Sequence, residues 1–258
     1  MREALFVIDK IPGPTSFDVV RQVKRLVGDT KVGHTGSLDP FASGVLILLL
    51  GRATKLSNAL LNADKSYLAT VKLGDSTDSM DRTGRVDKSM PVPELTASEI
   101  EKVLKGFEGE WLQTPPMYSA KKIHGVRLYS LARQNINVRR LPIAVQLYRM
   151  DFLKYEAPFI HFEVHCSKGT YIRSLADDLG KRLGTVAHLH ELRRLTCGEF
   201  TLADSGTVET LAADLPGAFD RGFHNYVRAV GNGRPVCASS AKAFGEASVV
   251  IYECSIAR

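Results

Sequence analysis

The stretch Gly33-His34-Thr35-Gly36-Ser37-Leu38-Asp39-Pro40-Phe41-Ala42-Ser43-Gly44 sets a single carboxylate, Asp39, in a loop rich in residues suited to unusual backbone geometry. Gly33, Gly36 and Gly44 can accept positive φ or the close approach of another chain. Pro40 fixes its own φ and steers Asp39 toward an extended conformation. The apolar run Val45-Leu46-Ile47-Leu48-Leu49-Leu50 follows directly and stops at Gly51, which reads as a fully buried strand or the start of a buried helix. A carboxylate on a stiff turn against a buried element fits two roles: a structural Asp-Pro turn and a reacting group.

Outward from this stretch, Leu5-Phe6-Val7-Ile8 reads as a short buried strand, and Ser16 as the N-cap of a helix with Val19, Val20, Val23, Leu26 and Val27 on one face. Residues 67–73 alternate as a strand does, with Tyr67, Ala69, Val71 and Leu73 on one side. Residues 75–93 are polar and turn-rich and read as a long loop. Residues 98–107 carry helical spacing, 143–152 and 159–166 read as strands, and 171–183 as a helix. Strands and helices interleave without a strict βαβ rhythm, so the class is α+β with a mixed sheet. Near residue 215 the composition turns loop-like, with Pro216-Gly217 and later Gly231-Asn232-Gly233-Arg234-Pro235.

A second feature is the span from Trp111 to Met150. It holds Lys121, Lys122, Arg127, Arg133, Arg139, Arg140 and Arg149 with no Asp or Glu, interleaved with Tyr118, His124, Tyr129 and Tyr148. Uncompensated cations repel one another and suit an anionic partner or a solvated face. Phosphates and unstacked bases would match the mixture of cations and rings.

Composition narrows the classes. The chain has 258 residues, is 44% hydrophobic and 24% charged, and carries a formal net charge of +6, an ordinary globular balance that permits a polyanionic partner. Cys166, Cys197, Cys237 and Cys254 form no Cys-x-x-Cys pair, so free thiols in a reducing cytoplasm are the expectation. No signal peptide is expected at the N-terminus, and the Val45–Leu50 run is too short to span a bilayer. His161-x-Glu163-x-His165 has a strand period and His188-Leu189-His190 shows no third ligand, so neither is expected to bind zinc.

The loop motif resembles the active-site motif of the TruB-type tRNA pseudouridine synthases. Other stretches are similar to that family in the same order: Asp9-Lys10-Ile11-Pro12-Gly13-Pro14-Thr15-Ser16, Asp64-Lys65-Ser66-Tyr67, Leu73-Gly74-Asp75-Ser76-Thr77-Asp78-Ser79-Met80-Asp81, Gln113-Thr114-Pro115-Pro116-Met117-Tyr118-Ser119-Ala120-Lys121, Lys168-Gly169-Thr170-Tyr171-Ile172-Arg173-Ser174-Leu175 and Leu192-Arg193-Arg194-Leu195. The departure is Ile11, where the family usually has Pro.

The resemblance implies a mixed, mostly antiparallel sheet of the pseudouridine synthase fold over residues 1–215. It also implies an inserted basic RNA-binding loop at 118–140 and a short C-terminal PUA-like segment at 216–258. The implied activity is isomerisation of uridine to pseudouridine at position 55 in the T-loop of tRNA, by a stand-alone cytoplasmic enzyme without cofactor, metal, membrane or obligate protein partner. Asp39 is the implied catalytic carboxylate, acting either on the sugar carbon or on the C2′ proton. Arg173 is implied as its ionic partner, and Tyr67 as the ring that stacks on the flipped base. His34 is implied to fill space among displaced nucleotides, and Tyr171 and Leu192 to wall the pocket. Lys10 and Lys55 are implied active-site supports, Asp81 an RNA contact or loop organiser, and Lys121 and Lys122 contacts of the basic loop.

Other readings are a guide-RNA-dependent relative, a binding-only RNA chaperone, and a glycoside hydrolase. The last usually needs two carboxylates flanking the bond.

Overall fold

A computed structural model describes residues 3–231, apart from 120, 124, 125, 133, 135 and 137. In chain order the elements are β1 (Ala4–Lys10), α1 (Ser16–Val27), β2 (Val32–His34), β3 (Ser43–Leu50), α2 (Ser57–Leu61), β4 (Lys65–Leu73), β5 (Asp75–Thr77) and β6 (Val86–Ser89). They continue with α3 (Ala97–Lys105), β7 (Gly109–Gln113), β8 (Lys122–Ile123), β9 (Val126–Arg127), α4 (Leu128–Ala132), β10 (Ile143–Glu156) and β11 (Phe159–Cys166). The last are α5 (Ile172–Arg182), β12 (Ala187–Cys197), β13 (Phe200–Thr201), α6 (Val208–Ala213) and α7 (Leu215–Gly231). The chain divides into two compact units, residues 1–63 with 197–258, and residues 64–196. Among the described residues no helix is long and apolar enough to cross a membrane.

In the first unit, β3 pairs antiparallel with β1 in the register Val7↔Ile47 and with β2 in the register His34↔Leu48. The run Val45–Leu50 is a strand and every residue in it is 0% exposed. Burial on both faces explains why it shows no alternation in the sequence. One face of β1 and β3, through Leu5, Val7, Val45, Ile47 and Leu49, packs with Phe200, Tyr226 and Ala229 in a single apolar cluster.

α7 corrects the loop-like reading after residue 215. Asp214 caps its start, its carboxylate accepting from the Gly217 amide at 3.0 Å and its carbonyl from the Ala218 amide at 2.9 Å. Pro216 sits in the first turn, where a missing amide hydrogen costs nothing. Gly222 lets the helix lie close on β1, since a Cβ there would come within 2.7 Å of the Phe6 ring. Residues 232–258 of the expected PUA-like segment lie outside the described residues.

In the second unit the sheet runs β12–β4–β11–β10–β7. β4 and β11 pair antiparallel with Tyr67 opposite Val164 and Ala69 opposite Phe162. The shared face of Tyr67, Ala69, Val71, Ile160, Phe162 and Val164 is buried. The stretch expected as a loop over 75–93 contains the β5–β6 hairpin, in register Asp75↔Ser89. β6 is exposed at all four residues, so no apolar alternation marked it. Within the expected basic loop, β8 and β9 pair as a small hairpin that leads into α4.

Candidate active site

The Asp39 loop belongs to the first unit, and the N-terminal motif holds it from both sides. Before Asp39, the buried Ser16 hydroxyl accepts from the Leu38 amide at 2.8 Å and donates to the Leu38 carbonyl at 3.2 Å. Ser16 is therefore the first residue of α1 and not its cap. Thr15 caps the helix, its hydroxyl accepting from the Asp18 amide at 3.1 Å while the Asp18 carboxylate accepts from the Thr15 amide at 2.9 Å. Hydrogen bonds from Thr15, then from Arg21, pull the Asp18 carboxyl down to about 2.

After Asp39, the Gly13 amide donates to the Pro40 carbonyl at 2.8 Å. The ammonium of Lys10, only 1% exposed, donates to the carbonyls of Ile11, Pro40 and Ala42 at 3.0, 3.1 and 2.8 Å. These bonds tie the end of β1 to the backbone that follows Asp39. A turn closes the loop, the Ala42 amide donating to the Asp39 carbonyl at 3.1 Å. Gly36 and Gly44 hold φ of 87° and 100°, which side-chain-bearing residues rarely adopt. Leu38, Phe41 and Ala42 are buried, leaving Asp39 half-buried between them. His34 is half-buried on β2, and Lys55 is exposed on the 3-10 turn Gly51–Leu56.

In the second unit the structure gathers Arg173, Asp81 and Tyr118. Arg173, on the first turn of α5 and 5% exposed, donates to the Ser79 carbonyl at 3.0 Å and the Tyr118 carbonyl at 2.8 Å. Its guanidinium lies 3.6 Å from the Asp81 carboxylate. Asp81 is the organiser of its own loop: one carboxylate oxygen accepts from the Ser79 hydroxyl at 2.8 Å, the Thr83 amide at 2.9 Å and the Thr83 hydroxyl at 2.5 Å. The loop is tied to β12, the Leu189 amide donating to the Met80 carbonyl and the Arg82 amide to the Leu189 carbonyl, each at 3.0 Å. Leu192 is buried further along β12, and Tyr67 is buried on β4.

Tyr171 is half-buried at the mouth of α5, and its amide donates to the buried side chain of Gln113 at 2.8 Å. Lys121 is half-buried, its carbonyl accepting from the Leu128 amide at 2.8 Å. The side chain of Lys122 lies outside the described residues. Burial pushes the Cys166 thiol up to about 12, which leaves it unreactive near neutrality. Among the described residues no group of three or more His, Cys, Asp or Glu is arranged to hold a metal ion.

Residues 24–172 match the family model described as TruB family pseudouridylate synthase (N terminal domain), and residues 173–219 match the one described as tRNA pseudouridylate synthase B C-terminal domain. The chain belongs to the TruB family. It is 47% identical to the tRNA pseudouridine synthase B of Chlamydia abortus over 204 residues, which is 78% of this chain and 86% of that one. Against the same-named protein of Haemophilus influenzae strain Rd it is 46% identical over 209 residues, 81% of this chain and 67% of that one. Among solved structures it is similar to one titled as a Cbf5-Nop10-Gar1 complex. There the identity is 32% and the TM-score 0.66, covering 88% of this chain and 58% of that chain, so this chain spans less than two thirds of it.

Within this TruB-family chain Ser16, expected as the cap of α1, is its first residue, and Gln113, with no expected role, is fully buried. Both are polar residues buried against backbone. For Gln113 a signal was present: along Trp111, Leu112 and Gln113 the strand alternates inward, outward, inward, which puts a polar residue on the buried face. For Ser16 no signal distinguished a cap from the first helical residue, because Thr15 and Ser16 are both good caps.

Proposed function

We propose that this TruB-family chain converts the uridine at position 55 in the T-loop of tRNA to pseudouridine, acting alone, with Asp39 as the reacting carboxylate. Uridine-to-pseudouridine isomerisation in tRNA is the activity of the family to which it belongs. The observation that carries the assignment to Asp39 is the anchoring of its loop by Ser16 on one side and by Lys10 and Gly13 on the other. Such anchoring suits a group that must meet a sugar carbon in one orientation.

In the reaction the bond from C1′ to N1 breaks and a bond from C1′ to C5 forms. N1 gains a proton and C5 loses one, so nothing is oxidised and no atom is lost. Asp39 meets the chemistry as a nucleophile toward C1′ or as a base toward the C2′ proton. The uridine must leave its stack first, at a cost of roughly a few kcal/mol. In this reading Tyr67 stacks on the extruded base, Tyr171 and Leu192 wall the pocket, and His34 fills space among displaced nucleotides. Arg173 supplies a fixed positive charge that keeps the reacting carboxylate ionised. Lys10 and Lys55 support the active site, Asp81 orders its loop, and Lys121 and Lys122 meet phosphates.

The same reading places the reaction in the cytoplasm, without an obligate protein partner, and gives residues 231–258 an accessory role toward whole tRNA. The buried free thiols Cys166 and Cys197 suit a reducing compartment. The test is incubation with unmodified tRNA followed by mapping of pseudouridine at single-nucleotide resolution. One new pseudouridine at position 55 is expected; its absence, or modification confined to other arms, contradicts the assignment.

A further inference from the structure

Gln113 is the last residue of β7, and its side chain is 0% exposed. A buried amide left without partners is unfavourable, and here one turn satisfies both ends of it. Nε2 donates to the Gly169 carbonyl at 2.6 Å, and Oε1 accepts from the Tyr171 amide at 2.8 Å. The two gripped groups flank Thr170, so the side chain spans the bend of the turn.

The rest of the turn is sewn down nearby. The Thr170 hydroxyl donates to the Ser167 carbonyl at 2.9 Å, and Ser167 exchanges bonds with Gln146 of β10 at 2.8 and 2.9 Å. Gly169 holds φ of 79°. One step further, the Ser174 hydroxyl donates to the Thr114 carbonyl at 2.8 Å. Tyr171 opens α5 with no side-chain cap of its own, so the entry of that helix is set at the point Gln113 grips. The helix then presents Arg173 within its first turn.

We infer that Gln113 is a positioning residue for the reaction: its amide fixes the turn 169–171 and thereby places Tyr171 and Arg173 toward the uridine. The inference rests on the proposal above that those two residues face substrate. A displacement of about 1 Å in reacting geometry costs on the order of 100-fold in rate, so the effect belongs in the chemical step and not in tRNA affinity.

The experiment compares Gln113→Met and Gln113→Glu with the parent in single-turnover pseudouridine formation and in tRNA binding, across about pH 6 to 8.5. The methionine variant keeps length and removes both bonds, and a rate loss of at least about tenfold with tRNA affinity within about threefold is expected. In the glutamate variant the protonated carboxyl can still donate to the Gly169 carbonyl and accept from the Tyr171 amide, whereas the ionised form turns an oxygen against that carbonyl. Burial favours the protonated form. Its rate relative to the parent should therefore exceed that of the methionine variant and rise as pH falls.

A methionine variant within twofold of the parent, or glutamate and methionine variants equally impaired at every pH, overturns the inference. Arg173→Met runs alongside. If it reacts at the parental rate, the reading beneath the inference fails; if it is inactive while Gln113→Met is parental, only the role of Gln113 fails.

Discussion

At the scale of single residues, the Ser16 hydroxyl and the Lys10 ammonium hold the loop that carries Asp39, the proposed reacting carboxylate. Asp39 stood out because glycines and a proline surround one carboxylate. Ser16 did not, because a hydroxyl bonded to a distant backbone looks the same in sequence as a hydroxyl capping a helix. Asp81 was named with two possible roles, and its bonds to Ser79 and Thr83 show it ordering a loop. Ser16→Ala leaves the buried Leu38 amide and carbonyl without the hydroxyl, so it should lower unfolding stability by about 1–3 kcal/mol. The loop it releases carries Asp39, so the single-turnover rate should also drop by at least about tenfold. Urea unfolding and a single-turnover assay check both; an unchanged rate in the folded variant would detach Ser16 from the placement of Asp39.

At the scale of elements, legibility followed hydrophobic period. β11 was found at its observed ends because alternation is unbroken through it. The strand expected over 143–152 continues to Glu156, and register shifts between Leu147 and Arg149 and between Phe152 and Lys154 break the alternation. β6 and α7 were missed for different reasons: one has no apolar face, and the other opens on Pro216-Gly217 and carries Gly222, which serves close packing on β1. On β11 and β12, burial holds His161 and His190 below the ordinary histidine value. The folded protein thus prefers these rings neutral. The stability they contribute is present above the unfolded value of about 6.5 and is lost as pH falls through the lower folded values. The urea midpoint should decline from pH 7 toward pH 5, and the double variant His161→Gln with His190→Gln should decline less steeply. Equal slopes would show that neither ring carries the pH dependence.

At the scale of the whole molecule, the family's motifs fall in both units, the Asp39 loop in the first and Tyr67, Tyr171, Arg173 and Leu192 in the second. Sequence order could name these parts, and the bonds that anchor them came only from the folded chain. The net charge of +6 and the acid-free basic span fit a polyanionic substrate. Lys121→Ala with Lys122→Ala should weaken tRNA binding and reduce the slope of log K against log salt by up to about two, roughly one for each phosphate that a lysine no longer neutralises. An unchanged slope would make that span a solvated face. RNA grip and chemistry are thus assigned to different residues, and Asp39→Asn separates them. The substitution keeps size and removes charge and basicity, so the variant should bind tRNA within about threefold of the parent. Its single-turnover pseudouridine formation should fall by at least about 10⁴, as expected for a group acting directly on the reacting atoms. Formation within tenfold of the parent would show Asp39 to be only a turn residue, and the assignment of the chemistry to it would be wrong.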